Sequence, residues 1–437
     1  MFTRSFVAMA VAMASASAFA FPGAAGKGPN VTYGATSHGA HLLTLSGNPA
    51  YGTHALSDER SVRLGGAGAF SLGYEVGPVD NFLDRVDDVL DALERDDITL
   101  AEGIALANEL NDLLADIGRD GYTRINAGLQ APLTPIAFKT GLGTFNVSLE
   151  GDVEVRASVL DDAVTYDPVS QELRTRASLY LKSARLARVS LGWARALWHD
   201  DDQSITGGAR VSLINAAMSK QVVNLKSAAT HPDDDDVSDI ISDQYDTNEK
   251  TSTNISVDLG VVYQTGNWRA GLTLLNINEP EFDYGTVGIN CGDLPPGSQA
   301  AINCLTADQF VQDGRISASE TWVLASQAVA DASYSFNNGR GLVGLSYDLT
   351  DANTPTGDLV QMLSVLAAYQ PGKVWAPGLR AGYHSNQQGS KLSSVSAGMT
   401  WFNRLTLDAL MGLDSTEIDG SKLPRTAAIS IGWQSRF

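Results

Sequence analysis

The sequence has no apolar run of the length that a membrane-spanning helix needs. Such a helix takes about 20 predominantly apolar residues. Hydrophobic residues make up 43% of this 437-residue chain, but polar residues interrupt them throughout, and mean hydropathy is -0.07. After its N-terminus the chain has no helical route through a bilayer, so that only a closed barrel of strands could span one.

Basic residues are also scarce. The chain carries 30 Lys and Arg against 50 Asp and Glu, which gives a net charge of -20 at pH 7. Binding to the phosphates of nucleic acid requires a basic patch, and the sequence shows none. We therefore expect no nucleic-acid partner.

Catalytic and metal-binding motifs are absent from the sequence. The 6 histidines are scattered, and there is no HExxH, no GxSxG and no CxxC. The densest acidic run, residues 233–236, lacks the pattern of a calcium loop and is better explained as a solvated loop. We predict no enzyme activity, no cofactor and no metal site, although spacing alone leaves open a catalytic Ser/His pair at a barrel rim.

The chain contains only 2 cysteines, Cys291 and Cys304. They flank a short stretch rich in turn residues, and no histidine between them provides the spacing of a zinc site. A disulfide that closes this loop is the better interpretation, with a stabilisation of about 3 kcal/mol. It also fits an oxidising compartment.

The first 20 residues have the pattern of a secretory signal peptide. A basic residue, Arg4, precedes a short apolar stretch, and the segment ends on Ala18-Phe19-Ala20. The apolar stretch is too short for a membrane anchor. We predict that residues 1–20 are removed before Phe21 and that the mature chain is exported.

The last residues, 427–437, alternate apolar and polar side chains. On a strand, one face would carry Ile429, Ile431, Trp433 and Phe437. This pattern is typical of a strand between two unlike environments. A terminal phenylalanine resembles the signal that the bacterial outer-membrane assembly machinery recognises. We expect Trp433 and Phe437 to contact the membrane and to form this assembly signal.

Residues 78–118 change to a helical period, with apolar residues three and four positions apart and acidic residues between them. Thr99 and Glu102 have the spacing of a capping box, and Gly118 is placed to end the second helix. These signals predict a helical hairpin. Its apolar stripes need a cover, which is either the barrel rim or a partner.

From residue 122 onward, alternating segments follow one another. The clearest pair runs through residues 255–263, turns at Thr265-Gly266-Asn267 and returns through residues 268–274. Tryptophans and tyrosines lie toward the segment ends, where a barrel has its aromatic girdles. The sequence therefore predicts an all-β fold, an antiparallel transmembrane β-barrel of about 12 to 14 strands with an α-helical hairpin insert.

Several of these features resemble a known family. The signal peptide, the Asn48-Pro49-Ala50 turn, the acidic helices, residues 276–282 and the terminal phenylalanine are similar to the outer-membrane family of conjugal transfer TraF-like proteins. That family is similar in turn to the FadL-type long-chain fatty acid transporters. The resemblance implies a monomeric barrel with an N-terminal segment folded into its lumen around Asn48, Pro49 and Ala50. The family name is shared with a thioredoxin-like periplasmic protein, but a chain without CxxC does not inherit that activity.

We divide the chain into four parts. They are the signal peptide of residues 1–20, an N-terminal segment with a lumen plug and the first strand in residues 21–77, the helical hairpin of residues 78–118, and the remaining barrel of residues 119–437. The expected location is the bacterial outer membrane. The expected partners are outer-membrane lipid, the barrel assembly machinery and a hydrophobic ligand.

Two functions remain open from the sequence. In the first, the barrel is a channel or transporter for hydrophobic small molecules. In the second, it is a structural or interaction component of an envelope assembly for conjugation or secretion. An apolar lumen pocket would favour the first function, and a filled lumen with exposed apolar helix faces would favour the second.

Overall fold

The computed structural model describes residues 26–36, 38, 41–56, 61–96, 98–230 and 237–434. Three predicted features lie outside this part of the chain: the signal peptide of residues 1–20, the acidic run of residues 233–236 and the terminal Phe437.

A closed antiparallel barrel of 14 strands forms the body of the protein. In chain order the strands are β1 (Val62–Val76), β2 (Tyr122–Gln130, continued by Ile136–Thr140), β3 (Gly143–Leu160), β4 (Ser178–Asp200), β5 (Gln203–Asn224), β6 (Glu249–Thr265), β7 (Trp268–Leu275), β8 (Gln327–Phe336), β9 (Gly341–Asp348), β10 (Met362–Tyr369), β11 (Gly378–Asn386), β12 (Ser393–Trp401), β13 (Leu405–Gly412) and β14 (Thr426–Gln434). Consecutive strands pair, and β14 pairs with β1. The predicted barrel is confirmed.

The closure between β1 and β14 fixes which side chains face inward. Ser71 of β1 lies opposite Ser430 of β14. Both are buried, whereas Ile431 and Trp433 of the same strand are 50% and 39% exposed. Because successive residues of a strand point to opposite faces, the serines face the lumen and the apolar residues face outward. The structure thus places Trp433 on the outer surface of the barrel.

The outer surface carries an apolar band. Outward residues of the strands are mostly Val, Leu, Ile and Ala, and many are exposed, as with Leu191, Val211 and Val365. Exposed aromatic residues border this band, with Tyr263, Trp268, Tyr369 and Trp433 near one end of the barrel and Tyr383 closer to the other. An apolar band bordered by aromatic residues is typical of a barrel that lies in a lipid bilayer.

The barrel wall has two heights. Strands β3 to β6 have 18, 23, 22 and 17 residues, whereas β7 to β14 have between 8 and 10. A strand needs only about 10 residues to cross a membrane. The longer strands, which we call the tall wall, therefore extend beyond the bilayer on one side.

The two ends of the barrel differ in their connections. At one end, short turns join the strands, such as residues 201–202, 266–267 and 402–404. At the other end, most connections are long, and they contain four small two-stranded sheets: Thr165–Asp167 with Glu172–Arg174, Glu281–Asp283 with Thr321–Val323, Ala352–Asn353 with Leu359–Val360, and Ser415–Ile418 with Ser421–Pro424. We call them the short-turn end and the long-loop end.

Helices occupy the N-terminal segment and the long connections. They are α1 (Asn30–Tyr33), α2 (Phe82–Glu94), α3 (Leu100–Asp120), α4 (Leu225–Ala229), α5 (Val237–Asn248) and α6 (Gln299–Gln312), with 3-10 helices at Leu42–Ser46, Pro49–Ala55 and Cys291–Asp293. Within the described residues, no helix combines the length and the apolar character needed to cross a membrane.

Helices α2 and α3 pack on the outer face of the tall wall. Their apolar stripes bury Val153 and Val155 of β3, which are 2% and 1% exposed although they face away from the lumen. The capping box of Thr99 and Glu102 is present. Helix α3 continues past Gly118, however, and the predicted end at this glycine is wrong. Gly118 packs on Asp161, where a Cβ atom would come within 2.8 Å of the aspartate Cβ.

Candidate functional site in the barrel lumen

The described N-terminal residues, 26–36, 38 and 41–56, lie inside the barrel, and we call them the inner segment. Their first anchor is Lys27, whose Nζ lies 2.9 Å from Asp152 Oδ2 and 3.4 Å from Glu150 Oε2. All three side chains are buried, and both carboxylates project inward from β3. The inner face of β3 is therefore charged at this point, and its carboxylates pair with the lysine of the inner segment.

The predicted turn at Asn48, Pro49 and Ala50 rests against the inner wall. Asn48 Nδ2 donates to the carbonyl oxygens of Val261 and Leu272, at 3.2 and 3.3 Å. Asn48 Oδ1 accepts from Ala50 N at 2.9 Å and so caps the 3-10 helix that follows. The turn therefore completes backbone contacts on two neighbouring strands.

Two glycines of the wall make room for this turn. Gly208 of β5 and Gly260 of β6 are directly paired. A Cβ atom at Gly208 would come within 2.4 Å of Ala50 N, and one at Gly260 within 2.1 Å of Asn48 Oδ1. Real Cβ atoms do not approach other atoms so closely. Only glycine therefore fits at these two positions when the Asn48 turn lies against the wall.

Arg210 is the second charged anchor. Its Nε donates to Asp258 Oδ2 at 2.7 Å, and its Nη1 donates to the carbonyl oxygens of Leu45, Ser46 and Gly47. Arginine and aspartate are both buried. One side chain of the wall thus holds the end of the first 3-10 helix through the backbone.

Polar contacts continue toward the short-turn end. Gln434 binds the inner segment through His41 Nδ1 at 2.8 Å and Leu42 N at 3.1 Å. His54 Nε2 lies 3.1 Å from Gln264 Oε1. Burial, assisted by the Arg269 guanidinium, lowers the pKa of His54 to about 4. The imidazole is therefore neutral where it is bound.

The long-loop end is closed by a different element, the lid, which consists of residues 276–326 between β7 and β8. Its hairpin inserts Phe282, Tyr284 and Trp322 into the barrel mouth. There they contact inward residues of the tall wall: Ala184, Leu186, Ile214, Ala216 and Met218. Phe282 and Tyr284 are almost completely buried. The lid is thus fixed by an apolar core.

Cys291 and Cys304 form a disulfide inside the lid, with their Cα atoms 5.5 Å apart. The bond joins the 3-10 helix Cys291–Asp293 to α6. Phe310 of α6 packs on Leu160 and Val222 of the tall wall. The disulfide therefore stabilises the part of the lid that covers the edge of the mouth.

A second connection, residues 349–361, crosses the mouth and is called the strap. Asp358 Oδ2 lies 3.5 Å from Arg124 Nη1, and its Oδ1 lies 3.4 Å from Arg156 Nε. Thr356 donates a hydrogen bond to Glu154. These contacts tie the strap, which leaves the barrel at β9, to β2 and β3 on the opposite wall.

Between the inner segment and these loops lies a chamber of about 410 Å³. One side of it carries Arg124 of β2 and Arg188 and Arg210 of the tall wall. The opposite side is mixed, with apolar residues such as Met362 and Leu410 beside polar residues such as Asp348 and His384. Across the described part of the chain, no group of three or more His, Cys, Asp or Glu residues could hold a metal ion. The chamber thus presents both polar and apolar side chains to its interior.

The profile of a protein family described as "F plasmid transfer operon, TraF, protein" matches residues 46–348. The match begins in the inner segment, just before Asn48, and ends with β9. The chain belongs to this family. No curated protein matches it in sequence.

Solved structures with a similar barrel are distant in sequence from this TraF-family chain. The toluene transporter TbuX of Ralstonia pickettii is 12% identical, with 95% of this chain and 99% of that chain covered and a TM-score of 0.43. A FadL homologue of Pseudomonas aeruginosa is 12% identical, with 96% and 99% covered and a TM-score of 0.40. Outer membrane phospholipase A from Escherichia coli is 8% identical, with 84% and 91% covered and a TM-score of 0.25.

Several residues of the TraF-family lumen escaped the sequence analysis. Arg210 and Asp258 are 48 positions apart and only the strand register brings them together. Gly208 and Gly260 each occupy an inward position in an alternating segment. A missing side chain at such a position was the one sequence signal that another segment packs closely there. Lys27 stands alone in the sequence, and its two carboxylates become apparent only when β3 is placed in the wall.

Proposed function

We propose that this TraF-family barrel is an outer-membrane channel for small hydrophobic molecules, and that the inner segment is its gate. The observation that carries the proposal is a chamber in the lumen that the inner segment lines together with the barrel wall and residues of the long-loop end. A channel that is closed on both sides of a chamber must move one of its closures to conduct.

The connections support an orientation. Outer-membrane barrels have short periplasmic turns and long extracellular loops. The short-turn end would then face the periplasm, and the lid, the strap and the helices α2 and α3 would face the cell exterior. The inner segment would close the periplasmic side of the path.

The chamber lining supports an apolar passenger. Val360, Met362, Leu392 and Leu410 lie on one side of the chamber, among polar residues such as Asp348 and His384. Met362 and Leu410 are half-buried, and they would lose contact with water when a hydrocarbon group lies against them, which is favourable at about 25 cal/mol per Å². On the facing side, Arg124 pairs with Glu75 and Asp358, and Arg210 pairs with Asp258. A polar group of the same molecule would lie against these arginines and Arg188.

Uptake by cells tests this function. A strain that lacks the protein should take up radiolabelled fatty acid or alkane more slowly than the same strain that carries the intact gene, because the direct path is missing. A labelled sugar serves as the control, since its uptake should not change. Equal hydrocarbon uptake by the two strains would contradict the channel function.

A second candidate function is an interaction role in an envelope assembly. Leu100 and Ile104 lie one turn apart on α3 and are 56% and 51% exposed. If they hold a partner, Leu100→Ser with Ile104→Ser should weaken co-purification of that partner and leave hydrocarbon uptake unchanged. The two candidates are therefore separable by the same pair of assays.

A further inference from the structure

The short-turn end contains a recess of about 770 Å³ that opens at this end and is bounded on its inner side by the inner segment. Its walls come from the starts and ends of β5 to β11, and its floor is formed by Tyr33, His38 and His54 of the inner segment. Three arginines line it: Arg269, Arg340 and Arg380. In the proposed orientation this recess opens to the periplasm.

The charge of the recess is opposite to that of the chain. The whole protein has a net charge of -20, yet no Asp or Glu is among the described residues that line the recess. At the long-loop end, residues 77–121 alone carry thirteen acidic and three basic residues. The recess is therefore a local basic site on an acidic protein, and its field attracts anions.

The three arginines are engaged to different extents. Arg380 is buried and binds Asp408 and Thr400 of the wall. Arg269 donates to Gln264 Oε1 at 3.1 Å. Its guanidinium lies 6.0 Å from the ring centre of Tyr51. Both of these groups are uncharged. Arg340 is exposed in the turn between β8 and β9, and within the described residues its side chain has no carboxylate partner.

The surroundings favour a peptide over a single ion. The recess is within the range of about 300 to 1,000 Å³ in which molecules of many atoms bind, and amide side chains of Gln264, Asn267 and Gln370 line it between the arginines. Such amides can bind the backbone of an extended chain. The adjoining recess, which shares His54 and Gln264 with this one, differs because it carries Asp200, Asp201 and Asp202 beside its own basic residues, Lys139 and Arg195.

We propose that this recess binds an acidic segment of a periplasmic protein, with carboxylates of that segment paired to Arg269 and Arg340. The site rests on the proposed orientation but not on transport. Because its floor is part of the inner segment, a bound partner would be in direct contact with the gate.

Binding of a synthetic peptide to the full mature protein in lipid nanodiscs tests the site. The probe is a fluorescein-labelled peptide of alternating Asp and Ser, compared with the same peptide in which Asn replaces Asp. The acidic peptide should bind, and Arg269→Gln with Arg340→Gln should weaken it at least tenfold. Binding should also weaken with added salt, since such partly exposed pairs are screened.

The matched control is Arg95→Gln with Lys391→Gln, which removes two exposed basic residues at the long-loop end and should leave binding unchanged. Heat-modifiability on a gel confirms that each variant is a folded barrel. Equal binding of the two peptides, or unchanged binding by the arginine variant, would overturn the proposal. Displacement of the peptide by inorganic phosphate at constant ionic strength would identify a small-anion site instead and would overturn it too. Hydrocarbon uptake plays no part in these outcomes, so the site and the channel function fail separately.

Discussion

The two closures of the barrel differ in where their charged contacts lie. The lid inserts Phe282, Tyr284 and Trp322 into an apolar core at the long-loop end, and its ion pairs, such as that of Glu320 with Lys182, are partly exposed. The inner segment is anchored by buried ion pairs and hydrogen bonds centred on Lys27 and Arg210, and it also buries apolar side chains such as Leu42 and Tyr51. Water can replace polar contacts of this kind when a segment moves, whereas exposed aromatic residues have no such replacement.

The cost of moving each closure depends on these contacts. Exposing one large apolar side chain costs about 1.5 to 3 kcal/mol, and the lid and the inner segment each bury several. A typical hydrogen bond contributes only about 0.5 to 1.5 kcal/mol net, because the released groups bind water. We propose that the lid is the stationary closure and that the inner segment moves, at a cost that includes the exposure of Leu42, Leu45 and Tyr51.

The largest expected effect comes from the lid. Phe282→Ala should lower the free energy of unfolding by about 3 to 5 kcal/mol, since it leaves a cavity in a fully buried core. Denaturant titration in detergent measures this value. Val169→Ala, at a side chain that is 92% exposed, is the control and should change little. A loss below about 1 kcal/mol for Phe282→Ala would remove the contrast between the two closures.

The next effect concerns the gate. Arg210→Gln should weaken the docking of the inner segment by about 3 kcal/mol, because Asp258 is left buried without its partner and three carbonyl oxygens lose a donor. Conductance in planar bilayers should rise. Arg188→Gln is the matched control, since Arg188 lines the same chamber and makes no bond to the described residues of the inner segment. Equal conductance of the two variants would contradict the role of Arg210.

A smaller effect is expected at the glycine pair. Gly260→Ala should weaken docking by about 1 to 3 kcal/mol, because the new Cβ atom overlaps Asn48 Oδ1. Conductance should increase without a loss of barrel stability. Gly141→Ala introduces a methyl group into open space and should behave as the wild type. If Gly260→Ala leaves the channel closed, the Asn48 turn is not what seats the segment.

The smallest effect is a dependence on pH. The bound His54 has a pKa of about 4, below the ordinary value of 6.5 for histidine. A released His54 therefore binds a proton at a higher pH than the docked one, and docking is strongest above pH 6.5 and weakens as the pH falls toward 4. At pH 5.5 the loss should be about 1 kcal/mol. Conductance measured against pH should rise on acidification, and His54→Gln should reduce this rise.

The sequence alone revealed the barrel but not the contrast between its ends. Alternation in residues such as Ile429 and Ile431 predicts a strand between lipid and lumen, and the local signals of Thr99 with Glu102 and of Cys291 with Cys304 needed no tertiary information. The burial of the outward Val153 and Val155, however, has no signal in the sequence, and only the structure shows that helices cover them. Contacts such as that of Arg210 with Gly47 depend on strand register and on the path of a distant segment, which periodicity does not contain.

A reversible cross-link tests the gate most directly. A Cβ atom at Gly52 of the inner segment would lie 3.2 Å from the Cβ atom of Ala194 on β4, close to the spacing of about 3.5 to 4.5 Å in disulfides. The variant is Gly52→Cys with Ala194→Cys, made in a background with Cys291→Ser and Cys304→Ser so that no other disulfide forms. Each single cysteine variant serves as a control. We predict that hydrocarbon uptake stops when the cross-link is oxidised and returns on reduction, and equal uptake in the oxidised and reduced states would contradict the inner segment as the gate.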